Sequence, residues 1–207
     1  MIVKPLKIGY GFWLQWVLVT LVGFLLSLYW VEIGERSDIS AVEGAIGGDV
    51  IGLAQWLVLR QQFSQAWWWV LASIVSWGLL AASGIGALGW VAPRTTYIPL
   101  RLFYGILNGI IIGAFLGVAQ WFVLNKQVKI GWQWVLVSTI GWAIGLTLGW
   151  VLGGVLRYFT GIFLAEIVGL TLGWVIVAAI TGFALWKVSE SAATESFFDI
   201  EFTTNKK

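Results

Sequence analysis

The sequence predicts an all-α integral membrane protein whose six transmembrane helices form a pseudo-threefold ring of three hairpins. The first observation is composition: 59% of the 207 residues are hydrophobic and 11% are charged, whereas a typical soluble domain carries about 25% charged residues. The second is six apolar segments near the length of about 20 residues that crosses a bilayer. The third is a segment of 22 residues that occurs twice, which indicates a repeated structural unit.

The six predicted spans are separated by short loops, so consecutive helices should be antiparallel neighbours. They cover roughly 9–31, 41–59, 66–91, 100–124, 131–156 and 161–186. The first is longer than the apolar core of a signal peptide, and no small-residue cleavage site follows it, so we expect it to be retained. All three prolines, Pro5, Pro93 and Pro99, lie outside the spans, as uninterrupted helices require.

Lysine and arginine predict the orientation, because cytoplasmic loops carry an excess of both residues. If the N-terminus is cytoplasmic, that side holds eight of the 12 cationic residues. The eight are Lys4, Lys7, Arg60, Lys126, Lys129, Lys187, Lys206 and Lys207. The opposite side holds Arg36, Arg94, Arg101 and Arg157. We therefore expect both termini in the cytoplasm.

The repeated segment runs from Gly52 to Ser73 and again from Gly117 to Ser138, with 12 of 22 positions identical. The first copy reads GLAQWLVLRQQFSQAWWWVLAS and the second GVAQWFVLNKQVKIGWQWVLVS. Each copy covers the end of one predicted helix, a turn and the start of the next. The full repeat units extend over about 44–90 and 109–150 within a transmembrane domain spanning residues 1–188.

Fainter copies lie in the first and last spans. The WVLVT sequence that starts at Trp16 matches the second half of the hairpin, and the GFALWK sequence that starts at Gly182 takes the place of the first half. The two outer helices would therefore form a third hairpin, which closes the ring. The remaining residues, 189–207, form a polar cytoplasmic tail, either a disordered end or a docking peptide with acidic and aromatic anchors.

Glycines recur every four residues along three of the predicted helices, which places them on one helix face where backbones can approach closely. The glycines are Gly44, Gly48, Gly52, Gly105, Gly109, Gly113, Gly117, Gly141, Gly145, Gly149 and Gly153. We interpret them as helix-packing residues. The alternative is a glycine-lined groove that admits a flat ligand such as a carotenoid or a lipid tail.

Each copy of the repeat carries a glutamine followed by a tryptophan: Gln55 and Trp56, then Gln120 and Trp121. At 1.5 Å per residue these side chains lie about 6 to 8 Å from the end of their helix, near the membrane interface, where tryptophan is favoured. One interpretation is an aromatic belt whose glutamines bond exposed turn carbonyls. The other is a ligand contact, in which glutamine ligates a chlorophyll magnesium and tryptophan stacks on a polyene.

Acidic and amide side chains inside the spans are the candidates for a transport site. Asp49 lies 11 residues from Arg60, about 16 Å deep, and carboxylates at such depth usually face the bundle interior. Three further polar residues, Glu43, Asn108 and Glu166, share a level with Arg101 and Arg157 in the outer third. This set forms either a structural pairing cluster or an entrance for an ion or a proton.

Several chemistries lack the side chains they need. The chain has no cysteine and no histidine, so thiolate metal sites and histidine bases are excluded. The sequence also lacks the common nucleotide-binding, zinc-protease and serine-hydrolase motifs. We therefore expect no enzymatic activity, no metal and no nucleic-acid partner, since the net charge is only +2.

The repeated pattern G-x-x-x-G-x-x-Q-W-x-V-L, a short turn and then W-V-L-A-S resembles a group of small repeat membrane proteins common in cyanobacteria. Gly48, Gly52, Gln55, Trp56 and Ser73 carry the resemblance in the first copy. The resemblance covers about half of the chain strongly and implies a plasma or thylakoid membrane as the location. It implies no established activity.

Three functional hypotheses remain at this point. The leading one is a non-enzymatic accessory, assembly or scaffold subunit of a membrane complex, for example a photosynthetic one, with lipids and other membrane subunits as partners. The second is a small transporter or channel that uses Asp49. The third is a protein that binds chlorophyll, carotenoid or lipid at the glutamine–tryptophan sites.

Overall fold

A computed structural model describes residues 10–35, 38–126 and 132–204, with side chains described as far as residue 188 and at residue 190. Within these ranges the chain forms six α-helices and a short 3-10 helix, and no strand. The helices are α1 (Tyr10–Ser27), α2 (Ala41–Leu59), α3 (Trp67–Ala82), α4 (Ile98–Leu124), α5 (Gln133–Thr160) and α6 (Leu164–Thr204).

Five of the helices, α1, α2, α4, α5 and α6, are long and apolar enough to cross a membrane. This is the architecture of an integral membrane protein. The sixth helix, α3, is also apolar but has 16 residues, which at 1.5 Å per residue is about 24 Å. That is shorter than the hydrocarbon core of about 30 Å, so the number of complete spans stays a prediction.

The helices close a ring. Each packs against its neighbours in sequence, and α6 also packs against α1. The α6–α1 contact includes Trp13, whose indole donates to the carbonyl of Ala179 at 2.9 Å. The weakest contact between sequence neighbours in the ring is the one between α3 and α4.

The prediction that the third span extends to residue 91 was wrong. The helix ends at Ala82, and two glycines in the left-handed region, Gly84 (φ 79°) and Gly86 (φ 91°), turn the chain away. Residues 84–97, which we call the plug segment, then run back into the ring, where Trp90 is completely buried. Irregular backbone at membrane depth is tolerated where protein surrounds it.

Glycines allow the closest helix contacts. A Cβ added to Gly48 would lie 2.6 Å from the carbonyl oxygen of Ser73, and one added to Gly113 would lie 2.6 Å from that of Ser138. The ladder of α5 instead faces α6: a Cβ on Gly149 would lie 2.7 Å from the carbonyl oxygen of Gly169. Side chains of any size would push these backbones apart.

Two aromatic clusters fill the centre. The first surrounds Trp174, whose ring lies 4.8 Å from Trp142, 5.8 Å from Trp77 and 5.6 Å from Trp90, measured between ring centroids. The second places Trp69 edge-on between Trp16 and Trp134, at 5.7 and 5.9 Å. Aromatic pairs at these separations add to the stability that their burial provides, so the ring has a packed core.

The polar tail continues α6. Its backbone is helical through Thr204, and Lys187 contacts Glu190 at 3.0 Å on this helix. Apart from Glu190, the acidic and aromatic anchors of the predicted docking peptide, which include Phe197 and Phe198, have side chains outside the described residues.

Candidate functional site

Two groups of polar side chains lie inside the ring. We call Arg101, Glu166, Arg157 and Glu35 the ion-pair layer. We call Gln55, Trp69, Thr20, Gln120, Trp134, Trp16 and Thr181 the amide–indole layer. The first holds full charges and the second holds neutral groups, so their chemistry differs.

Arg101 and Glu166 form a bidentate ion pair at the centre of the ion-pair layer. The two terminal nitrogens of Arg101 donate to the two carboxylate oxygens of Glu166 at 2.8 and 2.6 Å. Both side chains are buried, with 0% and 1% of their surfaces exposed. Parallel hydrogen bonds between an arginine fork and a carboxylate are the strongest geometry available to such a pair.

The remaining donors of Arg101 bind backbone carbonyls. Its Nε donates to Thr95 at 2.6 Å, and its terminal nitrogens also donate to Trp150 at 2.6 Å and Pro93 at 2.9 Å. A guanidinium has five N–H donors, so every one of them is engaged. The side chain thereby joins α4, α5, α6 and the plug segment.

Glycines make room for this pair. A Cβ on Gly154 would lie 2.6 Å from Nε of Arg101, and one on Gly153 would lie 2.6 Å from a carboxylate oxygen of Glu166. Arg157, on the same helix, bonds to Glu35 and lies 3.6 Å from Glu166. The layer therefore continues from the buried pair toward the surface.

Two of the predicted polar residues lie elsewhere. Glu43 accepts a hydrogen bond from the backbone N–H of Ser40 at 2.8 Å, while the Ser40 hydroxyl accepts from the N–H of Glu43. This reciprocal pair is a capping box that begins α2. Asn108 is half-buried on α4. Of the predicted cluster, Glu166 and its two arginines are in direct contact, joined by Glu35, while Glu43 lines an outer cavity together with Glu35.

Asp49 is half-buried and lies toward the helix face that carries exposed Val42 and Leu53. The face of α2 that turns inward carries Gly48 and Ile51 instead. Seven residues complete nearly two turns of an α-helix, so Asp49 and Val42, which are seven residues apart, lie on the same face of α2. Asp49 is absent from the walls of the two enclosed cavities described inside the ring.

Gln55 is at the centre of the amide–indole layer. Its Oε1 accepts from the indole of Trp69 at 2.8 Å, and its Nε2 donates to the hydroxyl of Thr20 at 3.1 Å. Gln55 makes these two bonds in place of the expected bonds to turn carbonyls. Its amide instead joins α1, α2 and α3 inside the ring.

The same pattern varies around the layer. The indole of Trp16 donates to the hydroxyl of Thr181 at 3.2 Å, so a threonine on α6 accepts where a glutamine does on α2. In the second copy of the repeat, the indole nitrogen of Trp134 has no hydrogen-bond partner among the described residues. Gln120, the counterpart of Gln55, is half-buried.

A small enclosed cavity lies between the two aromatic clusters. Its volume is about 30 Å³, and its wall includes side chains from all six helices. The polar side chains in the wall are Thr20, Gln55, Ser73, Gln120, Ser138 and Thr181. No charged side chain of the described residues contributes to the wall, so the cavity suits neutral groups.

Trp56 turns outward. It lines an apolar groove of about 480 Å³ between α1 and α2, together with Leu18, Val22 and Leu57. The guanidinium of Arg60 stacks on the Trp56 ring at 4.7 Å from its centroid. Trp121 is half-buried on α4, with its ring 4.9 Å from that of Phe122. The predicted glutamine–tryptophan pairs thus divide, since Gln55 bonds inside the ring and Trp56 lies on its surface.

Sequence reasoning missed the partners of Gln55. The signal was present, because Trp16, Trp69 and Trp134 occupy equivalent positions in the three copies, and Thr20, Ser73 and Ser138 follow four residues later. Residues four apart share a helix face. The repeated tryptophan and hydroxyl therefore indicated a polar layer at this level, in which Gln55 bonds the tryptophan of α3 and the hydroxyl of α1.

Comparison of the chain with protein-family models, with curated proteins and with solved structures gives no significant match. The interpretation of the site therefore depends on its geometry.

Proposed function

We propose that this chain is a non-enzymatic integral membrane protein that serves as an accessory, assembly or scaffold subunit of a membrane complex. The observation that carries the proposal is the use of the interior polar groups to bind one another. All five donors of Arg101 are engaged, and Gln55 bonds both Trp69 and Thr20. Groups committed in this way hold helices together.

The outward face supports the same function. Large apolar side chains cover it near both ends of the helices, including Tyr29 (85% exposed) and Phe159 (79% exposed) at one end and Trp132 (66% exposed) at the other. In a bilayer such side chains contact lipids or other subunits. A rigid ring with an apolar exterior can bind neighbouring helices without changing its own fold.

We further propose that the ring consists of three equivalent hairpins, α2–α3, α4–α5 and α6–α1, with both termini in the cytoplasm of a plasma or thylakoid membrane. The matched contacts of Gly48 with Ser73 and of Gly113 with Ser138 support the hairpin equivalence. The resemblance to cyanobacterial repeat proteins supports the location.

The test is isolation of the tagged full-length chain from its native membrane in mild detergent, followed by native mass spectrometry and identification of co-purifying chains. We expect a defined complex with at least one other membrane subunit. A chain with an unrelated six-helix fold and the same tag serves as control. Recovery of the chain alone, at the mass of one copy, would contradict the proposal.

A second candidate is lipid binding, favoured by the groove between α1 and α2. Its apolar wall, which includes Leu18 and Trp56, suits an acyl chain, and Arg60 at its end suits an anionic head group. Native mass spectrometry of Arg60→Ala should then show less retained anionic phospholipid than the parent. Lys187→Ala, which removes a cation stacked over Trp186, is the matched control. Equal retention by both variants would contradict the site, and a visible absorption band would indicate a pigment instead.

A further inference from the structure

Two buried side-chain groups have no hydrogen-bond partner among the described residues, the indole of Trp134 and the hydroxyl of Thr147. The indole of Trp134 also lines the enclosed cavity. Only 2% of the Trp134 surface is exposed, and its Nε1 has no partner among the described residues. Buried donors are almost always paired with protein or with ordered water. Trp134 belongs to the wall of the enclosed cavity, so the space next to it is where a partner can lie.

The first copy of the repeat shows what the indole would otherwise bond. There Trp69 donates directly to Gln55 at 2.8 Å, and Gln55 donates to Thr20. The second copy has the same residue types in Trp134, Gln120 and Ser73, and all three line the cavity. The direct bond is absent although its donor and acceptor types are present, which is the arrangement that a bridging molecule produces.

The size and polarity of the cavity define what can bridge. A water molecule needs roughly 10–15 Å³ of cavity volume and two to four polar partners. The cavity has about 30 Å³ and neutral polar groups from all six helices in its wall. Two water-sized molecules therefore fit, while an ion would lack a counter-charge in the surrounding wall.

We propose that this cavity is a binding site for two water molecules, one of which accepts a hydrogen bond from Nε1 of Trp134 and donates to the amide oxygen of Gln120. The second water bonds the first and the neighbouring hydroxyls of Ser73 and Ser138. Water thereby completes between α4 and α5 the link that Gln55 makes directly between α2 and α3. The site is independent of any partner subunit.

The test is NMR of the full chain in bicelles with ¹⁵N-labelled tryptophan. Magnetisation transfer from bound water to each indole proton is measured, and the Trp134 signal is assigned with Trp134→Phe. We expect a direct water cross-peak for the Trp134 indole and a several-fold weaker one for Trp13, whose indole bonds the Ala179 carbonyl. A Trp134 indole without a water cross-peak overturns the proposal.

Gln120→Leu tests the bridge. This apolar replacement of similar size should reduce the Trp134 water cross-peak several-fold, whereas Gln61→Leu, at an exposed turn, should leave it unchanged. An unchanged cross-peak in Gln120→Leu overturns the assignment of Gln120 as the water's acceptor. If Trp134→Phe does not fold, Ser138→Ala identifies the same signal through its shift, because Ser138 lines the same cavity.

Discussion

The ion-pair layer and the amide–indole layer hold the same ring together by different means. In the first, one arginine gathers a carboxylate and three backbone carbonyls, and no donor is left over. In the second, neutral groups join helices in pairs, and one indole is left to the cavity. A buried charge without its partner costs far more than a buried neutral group. The two layers should therefore differ in how much damage a single substitution does.

The largest effect is expected at Glu166. Glu166→Ala leaves Arg101 charged and buried, and breaking such a pair costs about 3–5 kcal/mol. The measurement is the free energy of unfolding in mixed micelles. Glu190→Ala, at an exposed position on the same helix, is the control. The double variant Arg101→Met with Glu166→Leu should recover much of the loss, since apolar replacement of a whole buried pair is often neutral. A loss under about 1 kcal/mol for Glu166→Ala would show that the pair is hydrated.

The next effect is expected at Gly154, against which Arg101 packs. Gly154→Ala places a methyl group 2.6 Å from Nε of Arg101, and overpacking of this kind costs about 1–3 kcal/mol. Gly141→Ala is the matched control on the same helix, because its nearest neighbour is 3.5 Å away. That control should be neutral or stabilise the helix by up to about 1 kcal/mol. Equal unfolding free energies for the two variants would contradict the close contact.

The two glutamines of the amide–indole layer should differ in how much they contribute to stability. Gln55→Leu leaves the Trp69 indole buried without an acceptor, which costs about 1–3 kcal/mol. Gln120→Leu should cost less, because Gln120 is half-buried and makes no direct bond to Trp134. Thermal unfolding of both variants under identical conditions checks the order. The reverse order would mean that the second copy, and not the first, carries the stronger link.

The smallest effect is expected at the rim of the ion-pair layer. Arg157 and Glu35 are 26% and 33% exposed, and pairs of this exposure contribute about 0–1 kcal/mol. Arg157→Met should therefore lower the unfolding free energy slightly, and the difference from the parent should shrink at high salt. If salt does not change this difference in unfolding free energy, the Arg157–Glu35 pair is shielded from solvent like the Arg101–Glu166 pair.

The sequence predicted the helices well where polar residues end them. The bounds of α2 were confirmed at 41–59, where Ser40 and Arg60 flank an apolar run. The third helix was extended too far because the plug segment is as apolar as a span: Ala87, Leu88, Trp90 and Val91 are all buried. Hydropathy reports burial and does not distinguish lipid from protein surroundings, so only Gly84 and Gly86 indicated the turn.

The sequence predicted how deep each candidate residue lies along its helix, but not the direction in which its side chain points. Rise per residue placed Gln55, Asp49 and Glu166 at levels along their helices, yet the partners depend on how each helix is rotated. Gln55 turns inward to Trp69, while Asp49 lies toward the face of Val42. Arg101 was grouped with Glu166 by level, but its bonds to Pro93 and Thr95 required the fold of the plug segment, which the predicted helix had obscured.

The binding partners of Arg101 have a consequence for biosynthesis. Arg101 enters the membrane with α4, Trp150 follows with α5, and Glu166 arrives only with α6. Until the last helix is inserted, the guanidinium lacks its counter-charge, and a cation in the hydrocarbon region is costly. The free energy gained by pairing Arg101 with Glu166 therefore becomes available only late in translation, when α6 is inserted. A chain truncated before α6 would carry Arg101 without the carboxylate that pairs with it in the complete ring.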